Sequence, residues 1–364
     1  MSRIAKRIIR LLASIFFRAK PMDKDQMKEI WKNAKVCCVL CASGIGDSVM
    51  ATPLIKKIRY FKPEMKLIVI GTETTTQVFK TNPVVDVIMK YNSELSIVRF
   101  ILFLLRLHHE KIDVLFAAQP ANTIRHSLIA AFSGAKMRLK HEYDYGESTE
   151  REFFFVYNTL LPDRMERHRV ELNLDFLRYF GEIIDERSVY PKYYISQNAQ
   201  QKIEKWLISV GNNENAGKLI AVHPGGVREN KRWMPERFAE VGRELIKYGY
   251  SICLVGGREE EPLCRKIENS INMQNRVINT CGVFSLEETA ALLKKCLFLL
   301  CNDTGIMHLA TAVGAHVIAI FGPTDYRHIG PFSRKARIFY KSPNIKDITA
   351  TEVLNTVLGE IRIF

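Results

Sequence analysis

CNDTGIMHLATAVG, residues 301–314, with LFLL (297–300) before it and VIAIFGPTD (317–325) after it, is the stretch whose reading decides the fold. Leu297 to Leu300 is a short, unbroken apolar run, as in a strand buried on both faces of a parallel sheet, and Asn302-Asp303-Thr304-Gly305 ends it. Ile306, Leu309, Ala310 and Val313 then keep one apolar face at helical spacing. A helix therefore starts here, with Thr304 and Gly305 at its amino terminus, where unpaired backbone N–H groups favour an anion. Glycine lets a phosphate approach the backbone, and the carboxylate of Asp303 can orient neutral hydroxyls beside it. The combination suits a sugar attached to a phosphate. The plainer reading makes Asp303 or Thr304 only a helix cap and His308 only a satisfied first-turn residue.

The chain has 364 residues, enough for two domains that each bury a core, and its 47% apolar content excludes a disordered chain. A formal net charge of +14 points to anionic partners: nucleic acid, a membrane surface or a phosphorylated substrate. The eight cysteines are scattered through apolar runs, which fits a reducing, cytoplasmic compartment better than a disulfide framework. Cys38 and Cys41 are spaced C-x-x-C, but in a strand residues three apart face opposite sides, so both belong to the core. No run reaches the roughly 18 apolar residues of a membrane-spanning helix. At the amino terminus Ile4, Ile8, Leu11, Leu12, Ile15 and Phe16 share one helical face, and Arg3, Lys6, Arg7, Arg10 and Arg18 the other. That pattern fits an interfacial helix; a signal peptide, an organellar presequence and a helix packed on its own domain are the alternatives.

Val36 to Ala42 reads as a strand running into Ser43-Gly44-Ile45-Gly46-Asp47, with a helix over 50–59. Gly44-x-Gly46 alone is a weak nucleotide signal. Asp47 is either the cap of that helix or a general base at the carboxyl edge of the first strand, and the helix dipole that suits the cap weakens the base. Strands are expected at 66–70, 85–89 and 112–117 with a helix at 97–108, while 141–163 shows no clear period. Lys56, Lys57 and Arg59, with Arg106, Arg125, Lys136, Arg138 and Lys140, make this half basic; most such side chains are solvated and a minority could meet an anionic acceptor.

The second half restarts the pattern. A strand at 218–222 ends in His223-Pro224-Gly225-Gly226, and Lys231 and Arg232 precede a helix at 235–248. A Gly-Gly turn followed by cations at a strand's carboxyl edge suits a diphosphate. Trp233 reads as packing. The strand at 251–255 ends in Gly256-Gly257, and Glu259 to Glu261 open a helix where acids suit both the dipole and a ribose diol. Strands at 277–279 and 317–321 and a closing helix at 349–361 complete the half. The expected organisation is a basic amphipathic extension (1–30), an acceptor-side Rossmann-like domain (31–185), a linker (186–200) and a donor-binding Rossmann-like domain (201–364), two α/β domains facing across a cleft.

GIGDSVMATPLIKKIR, HPGGVRENKRWMPERF, VGGREEE and NDTGIMHLATAVGAHVIAIFGPTD, in this order, resemble glycosyltransferase family 9, the ADP-heptose:lipopolysaccharide heptosyltransferases. The resemblance runs from about Val36 to the mid-330s. It implies a GT-B fold and an inverting transfer needing no metal and no cofactor. The donor is a nucleotide sugar, ADP-heptose, and the acceptor an anionic glycolipid or oligosaccharide at the inner face of the cytoplasmic membrane. By motif, Asp47 matches the catalytic aspartate and Lys231 the lysine on the donor phosphates. Thr304 and Gly305 match the diphosphate-binding pair, to which the residue reading adds the Gly225-Gly226 turn; Asp303 matches the aspartate near the sugar hydroxyls, His308 the histidine of that helix, and Glu260 is one candidate in the ribose-binding run. Lys56, Lys57, Arg59 and Gln119 are the acceptor-side candidates. The chain departs from the family at Ala117-Ala118-Gln119-Pro120 and in its amino-terminal extension, both on the acceptor side. The alternatives are a GT-B enzyme using another nucleotide sugar, a nucleotide-sugar epimerase and, ranked last, a nucleic-acid-binding protein, since no recognised nucleic-acid module is present.

Overall fold

The computed structural model describes residues 10–11, 14–92, 97–118, 123–142, 151–164, 166–185, 188–210 and 218–361. The chain forms two units, Met1–Val189 and Tyr190–Phe364. The first is built on β1 (Val36–Leu40), β2 (Lys66–Gly71), β3 (Val87–Lys90), β4 (Val114–Ala117), β5 (Met137–Glu142) and β6 (Thr159–Pro162), in the order β3-β2-β1-β4-β5-β6. The second is built on β7 (Leu219–His223), β8 (Ser251–Leu254), β9 (Val277–Asn279), β10 (Leu299–Asn302), β11 (Val317–Phe321) and β12 (Ala336–Tyr340), in the order β12-β11-β10-β7-β8-β9. All ten pairings are parallel. Counted from its own first strand, each sheet has the same doubly wound order. In each, the order reverses between the first and fourth strands, with Cys37 paired to Val114 and Ala221 to Leu299. Loops leaving the carboxyl ends of those two strands part in opposite directions, which opens a crevice for a ligand.

Burial on both sheet faces explains the unbroken apolar strands: Cys37 to Leu40 and Ala319 to Phe321 are fully buried. The helix Pro235–Lys247 packs between the helix Glu261–Ile271 and the closing helix Ala350–Ile361. Its Phe238 is buried edge-on against Trp233 and is worth roughly 2–3 kcal/mol of apolar transfer. Trp233 is a core residue, as expected, and its indole N–H donates to the Ile348 carbonyl at 2.8 Å. All eight cysteines are free and buried, including Cys38 in β1 and Cys41 just beyond it.

Several elements differ from the sequence reading. The helix Ile124–Phe132, β5 and β6 occupy a region whose order was only partly read. β5 carries Arg138, Lys140 and His141, all buried, so a strand that is polar by composition is interior by position. β10 extends to Asn302, two residues beyond the expected end. β12 at the sheet edge and the helix Leu286–Lys295 were not anticipated. The helix Gln197–Ser209 begins inside the expected 186–200 linker, with Ser196 as its cap. The helix Lys24–Asn33, capped by Asp23, crosses the expected boundary at residue 30 and is part of the first unit. Its Trp31 is buried, stacks on Phe180 at 5.2 Å and donates to Glu182 Oε1 at 2.8 Å. Of the amino-terminal amphipathic segment, Arg3, Ile4, Lys6, Arg7, Ile8 and Leu12 lie outside the described residues; Arg10, Leu11 and Ser14 to Phe16 are helical. Among the described residues no helix is long and apolar enough to cross a membrane.

Candidate active site

In the second unit the loops after β7 and β10, the two strands at the reversal point, hold the predicted donor residues other than Glu260, which follows β8. Thr304 caps the helix Gly305–Ala312, its hydroxyl accepting from the Met307 N–H at 3.4 Å, so Thr304 and Gly305 stand at a helix amino terminus as predicted. Next to them Lys231 Nζ meets Asp303 Oδ2 at 2.7 Å. The Asp303 side chain is only 8% exposed and that of Lys231 20%, so the pair is largely withdrawn from water. His308, one turn into the helix, is buried, and burial pushes its pKa down to about 4 against the opposing pull of Asp303. It is a neutral imidazole at ordinary pH.

Gly225 and Gly226 are buried in the turn after β7. A Cβ on Gly225 would stand 2.7 Å from Glu260 Cγ and 2.8 Å from His223 Cε1, closer than real side chains allow. Glycine is required here for close approach. Glu260 Oε2 accepts the Gly257 N–H at 2.7 Å and so fixes the loop after β8, which places this carboxylate against the Gly225 turn; Glu259 is exposed. Arg232 Nε donates to the Gly226 carbonyl at 2.7 Å, holding the turn from the other side.

Two residues of this site escaped the sequence reading. Asn302, the last residue of β10, is fully buried. Its Oδ1 accepts from the Trp233 N–H at 3.0 Å, and its Nδ2 donates to the carbonyls of Pro224 at 2.8 Å and Gly225 at 3.1 Å. One side-chain amide thus ties the glycine turn and the Lys231–Trp233 segment to the strand that carries Asp303. His223, at the end of β7, is buried with Nδ1 donating to the Val255 carbonyl at 2.8 Å. Burial lowers its pKa, opposed by that hydrogen bond and the charges of Glu260 and Glu259. The available signal was a polar side chain at the carboxyl end of each apolar strand.

In the first unit, Gly44 caps a helix over Ile45–Met50 that starts earlier than expected, and a second helix, Thr52–Phe61, follows across Ala51. Asp47 is therefore not the cap. It lies in the first turn of that helix, at the carboxyl edge of the sheet beside the reversal point. Asn173, fully buried on the helix Arg169–Arg178, donates to the Met50 carbonyl at 3.1 Å and holds the far end of the Asp47 helix.

The acceptor-side candidates do not converge in this way. Arg59 is a correction. Its guanidinium is held by Asp86 at 2.5 Å and by the carbonyls of Val84 and Met65, which precede β3 and β2. That is the amino edge of a parallel sheet, opposite to Asp47, so Arg59 is structural. Lys57 lies over the Tyr60 ring and donates to Ser188 Oγ at 3.2 Å, whereas Lys56 is exposed. Gln119 lies outside the described residues. Lys136 is likewise engaged at the amino edge, with Asp113 at 2.7 Å.

Residues 106–357 match the profile of glycosyltransferase family 9 (heptosyltransferase), a span that includes every donor-side residue above and excludes Asp47. The chain is similar to lipooligosaccharide heptosyltransferase 2 of Haemophilus influenzae, with 32% identity over 230 residues, covering 60% of this chain and 64%, just under two thirds, of that relative. Against lipooligosaccharide heptosyltransferase 2 of Campylobacter jejuni the identity is 25% over 301 residues, covering 80% of this chain and 82% of the relative. In three dimensions it resembles an E. coli heptosyltransferase solved with ADP, with a TM-score of 0.70 and 19% identity, covering 90% of this chain and 99% of that one. That likeness gives both units together the GT-B fold.

Proposed function

This chain belongs to glycosyltransferase family 9, the heptosyltransferases, and on that premise we propose that it transfers a heptose from ADP-heptose to a lipopolysaccharide-type acceptor, with inversion at the anomeric carbon and without a metal. The observation that carries the donor half is the Lys231–Asp303 pair at 2.7 Å, beside a helix amino terminus and a turn only glycine can fill. A diphosphate entering this corner takes up the Lys231 ammonium and the N–H groups at Thr304 and Gly305, while Asp303 is freed to accept from sugar hydroxyls. These contacts strengthen as the glycosidic bond breaks and charge grows on the leaving phosphate, so they stabilise the transition state more than the bound donor. The ADP in the solved relative and the names of the curated relatives support this choice of donor and acceptor class.

Asp47 is proposed as the base that takes the proton of the attacking acceptor hydroxyl. Attack from the side opposite to the departing diphosphate gives inversion. A carboxylate is a weak base, which suits a late proton transfer, when the hydroxyl has already become acidic by bonding to carbon. The acceptor carries anionic groups and is lipid-linked, so the enzyme works at the cytoplasmic face of the membrane.

Calorimetric titration against ADP, UDP and GDP, followed by product analysis with ADP-heptose, tests this reading. Preferential ADP binding and heptose transfer only when a lipopolysaccharide-type acceptor is present are expected. Preference for UDP or GDP rejects heptose as the sugar, and a new sugar nucleotide formed without acceptor would mark an epimerase.

A further inference from the structure

The helix Ile97–His109 joins β3 to β4 and has two apolar faces. Phe100, Phe103, Leu104 and Leu107 pack into the core of the first unit. On the other side Ile97, Val98, Ile101, Leu102 and Leu105 are between 49% and 76% exposed. At 100° per residue these five form one continuous stripe, and a folded chain rarely leaves such a stripe in water without a partner for it. The helix has no acidic residue; Arg99 and Arg106, both exposed, run along one border of the stripe, and His108 and His109 are exposed at its end. Arg125 adds a third guanidinium, 5.6 Å over the Phe100 ring.

The amino-terminal segment packs on the same core cluster and is also apolar and basic. Phe17 packs on the same core cluster, its ring 4.1 Å from that of Phe132, and Leu11, Ile15 and Phe16 just before it are more than 60% exposed. Its sequence holds Arg3, Lys6, Arg7, Arg10, Arg18 and Lys20 and no acid before Asp23. A second copy of the chain is a poor occupant, because a two-fold contact would bring the same arginines and histidines together with no carboxylate on the helix to meet them. Acyl chains for the stripe and phosphate headgroups for the arginines satisfy both features at once.

We propose that the exposed face of the helix Ile97–His109 is a membrane-docking surface, inserting Ile101, Leu102 and Leu105 at the headgroup level of an anionic bilayer. The purpose of this surface, holding the enzyme where a lipid-linked acceptor lies, rests on the transferase reading; lipid binding itself is measured apart from it.

The test is co-sedimentation of the full chain with phosphatidylethanolamine–phosphatidylglycerol vesicles and with phosphatidylcholine vesicles. Wild type should bind the anionic vesicles. Leu102→Glu/Leu105→Glu should weaken that binding at least tenfold, whereas Ile208→Glu, on an exposed side chain of the second unit, should not. ADP titration should be the same for all three. Should the glutamate pair fail to fold, Arg99→Gln/Arg106→Gln should lower binding to the anionic vesicles severalfold. Wild-type binding in whichever pair folds overturns the proposal, as does failure of the wild type to bind anionic vesicles or a lipid-free dimer that Leu102→Glu/Leu105→Glu dissolves. Intact vesicle binding with no ADP binding would instead count against the transferase reading alone.

Discussion

Replacing Lys231 with Met keeps the side-chain stem and removes the ammonium. Asp303, whose side chain is 8% exposed, is then a buried carboxylate without its cation. Removing one partner of a fully buried pair costs about 3–5 kcal/mol. Lys231 is 20% exposed, so solvent screening lowers the expected cost to about 1–3 kcal/mol. For a unit of this size that is a fall in midpoint of roughly 3–10 °C in the transition of the second unit. In the proposed role of Lys231 the same substitution removes a charge-assisted contact to the donor phosphate, and ADP should bind roughly 10- to 100-fold more weakly. Lys231→Met/Asp303→Asn separates the two effects: it should regain most of the lost stability, since no unpaired charge remains, and none of the ADP affinity. Differential scanning calorimetry and isothermal titration on the three proteins provide the readouts. A single variant that melts like wild type would refute the burial argument; a double variant that binds ADP like wild type removes Lys231 from the phosphate site.

Asp47→Asn should leave ADP affinity unchanged and reduce turnover on the order of a hundredfold or more; normal turnover would end its assignment as the base. Asn302→Ala strands the Trp233 N–H and the carbonyls of Pro224 and Gly225, so a loss of about 3–5 kcal/mol is expected together with weaker ADP binding, and a variant with wild-type melting and affinity would show that the amide positions nothing. Acid should destabilise both units. His308 and His141 are held by burial at a pKa of about 4, so the unfolded chain takes up protons first as pH falls below about 6.5, and each site loses up to about 3 kcal/mol by the time pH reaches about 4. His308→Gln should reduce this dependence in the second unit, where buried His223 still contributes, and leave that of the first unchanged, as calorimetry between pH 7 and 5 can check.

What the sequence made legible is local. The Thr304 cap, the helix behind it and the Gly225-Gly226 turn follow from rules that act over a few residues, and the structure has them where those rules put them. Asn302 looked like the end of a strand because its importance lies in partners nearly eighty residues away, the carbonyls of Pro224 and Gly225. β5 was unreadable for a related reason: Arg138, Lys140 and His141 are polar by type and buried by topology, and only the finished sheet shows their strand lying between β4 and β6. Arg59 shows the opposite failure. It sits twelve residues from Asp47 in the sequence, yet a helix antiparallel to the strands carries it to the far edge of the sheet.

The reversal point of each sheet also makes the site depend on contacts distant in sequence. β7 and β10 are neighbours in space but separated by two strands and three helices along the chain, so their pairing closes a long loop at a cost in chain entropy. Until it closes, the Asn302 amide cannot reach the glycine turn and Lys231 cannot reach Asp303. A second unit without this pairing lacks the proposed phosphate corner, so the proposed ADP site exists only in chains where β7 and β10 are paired. Bound ADP would then act by mass action as a clamp on the finished unit, making its resistance to heat and proteases a direct function of nucleotide concentration.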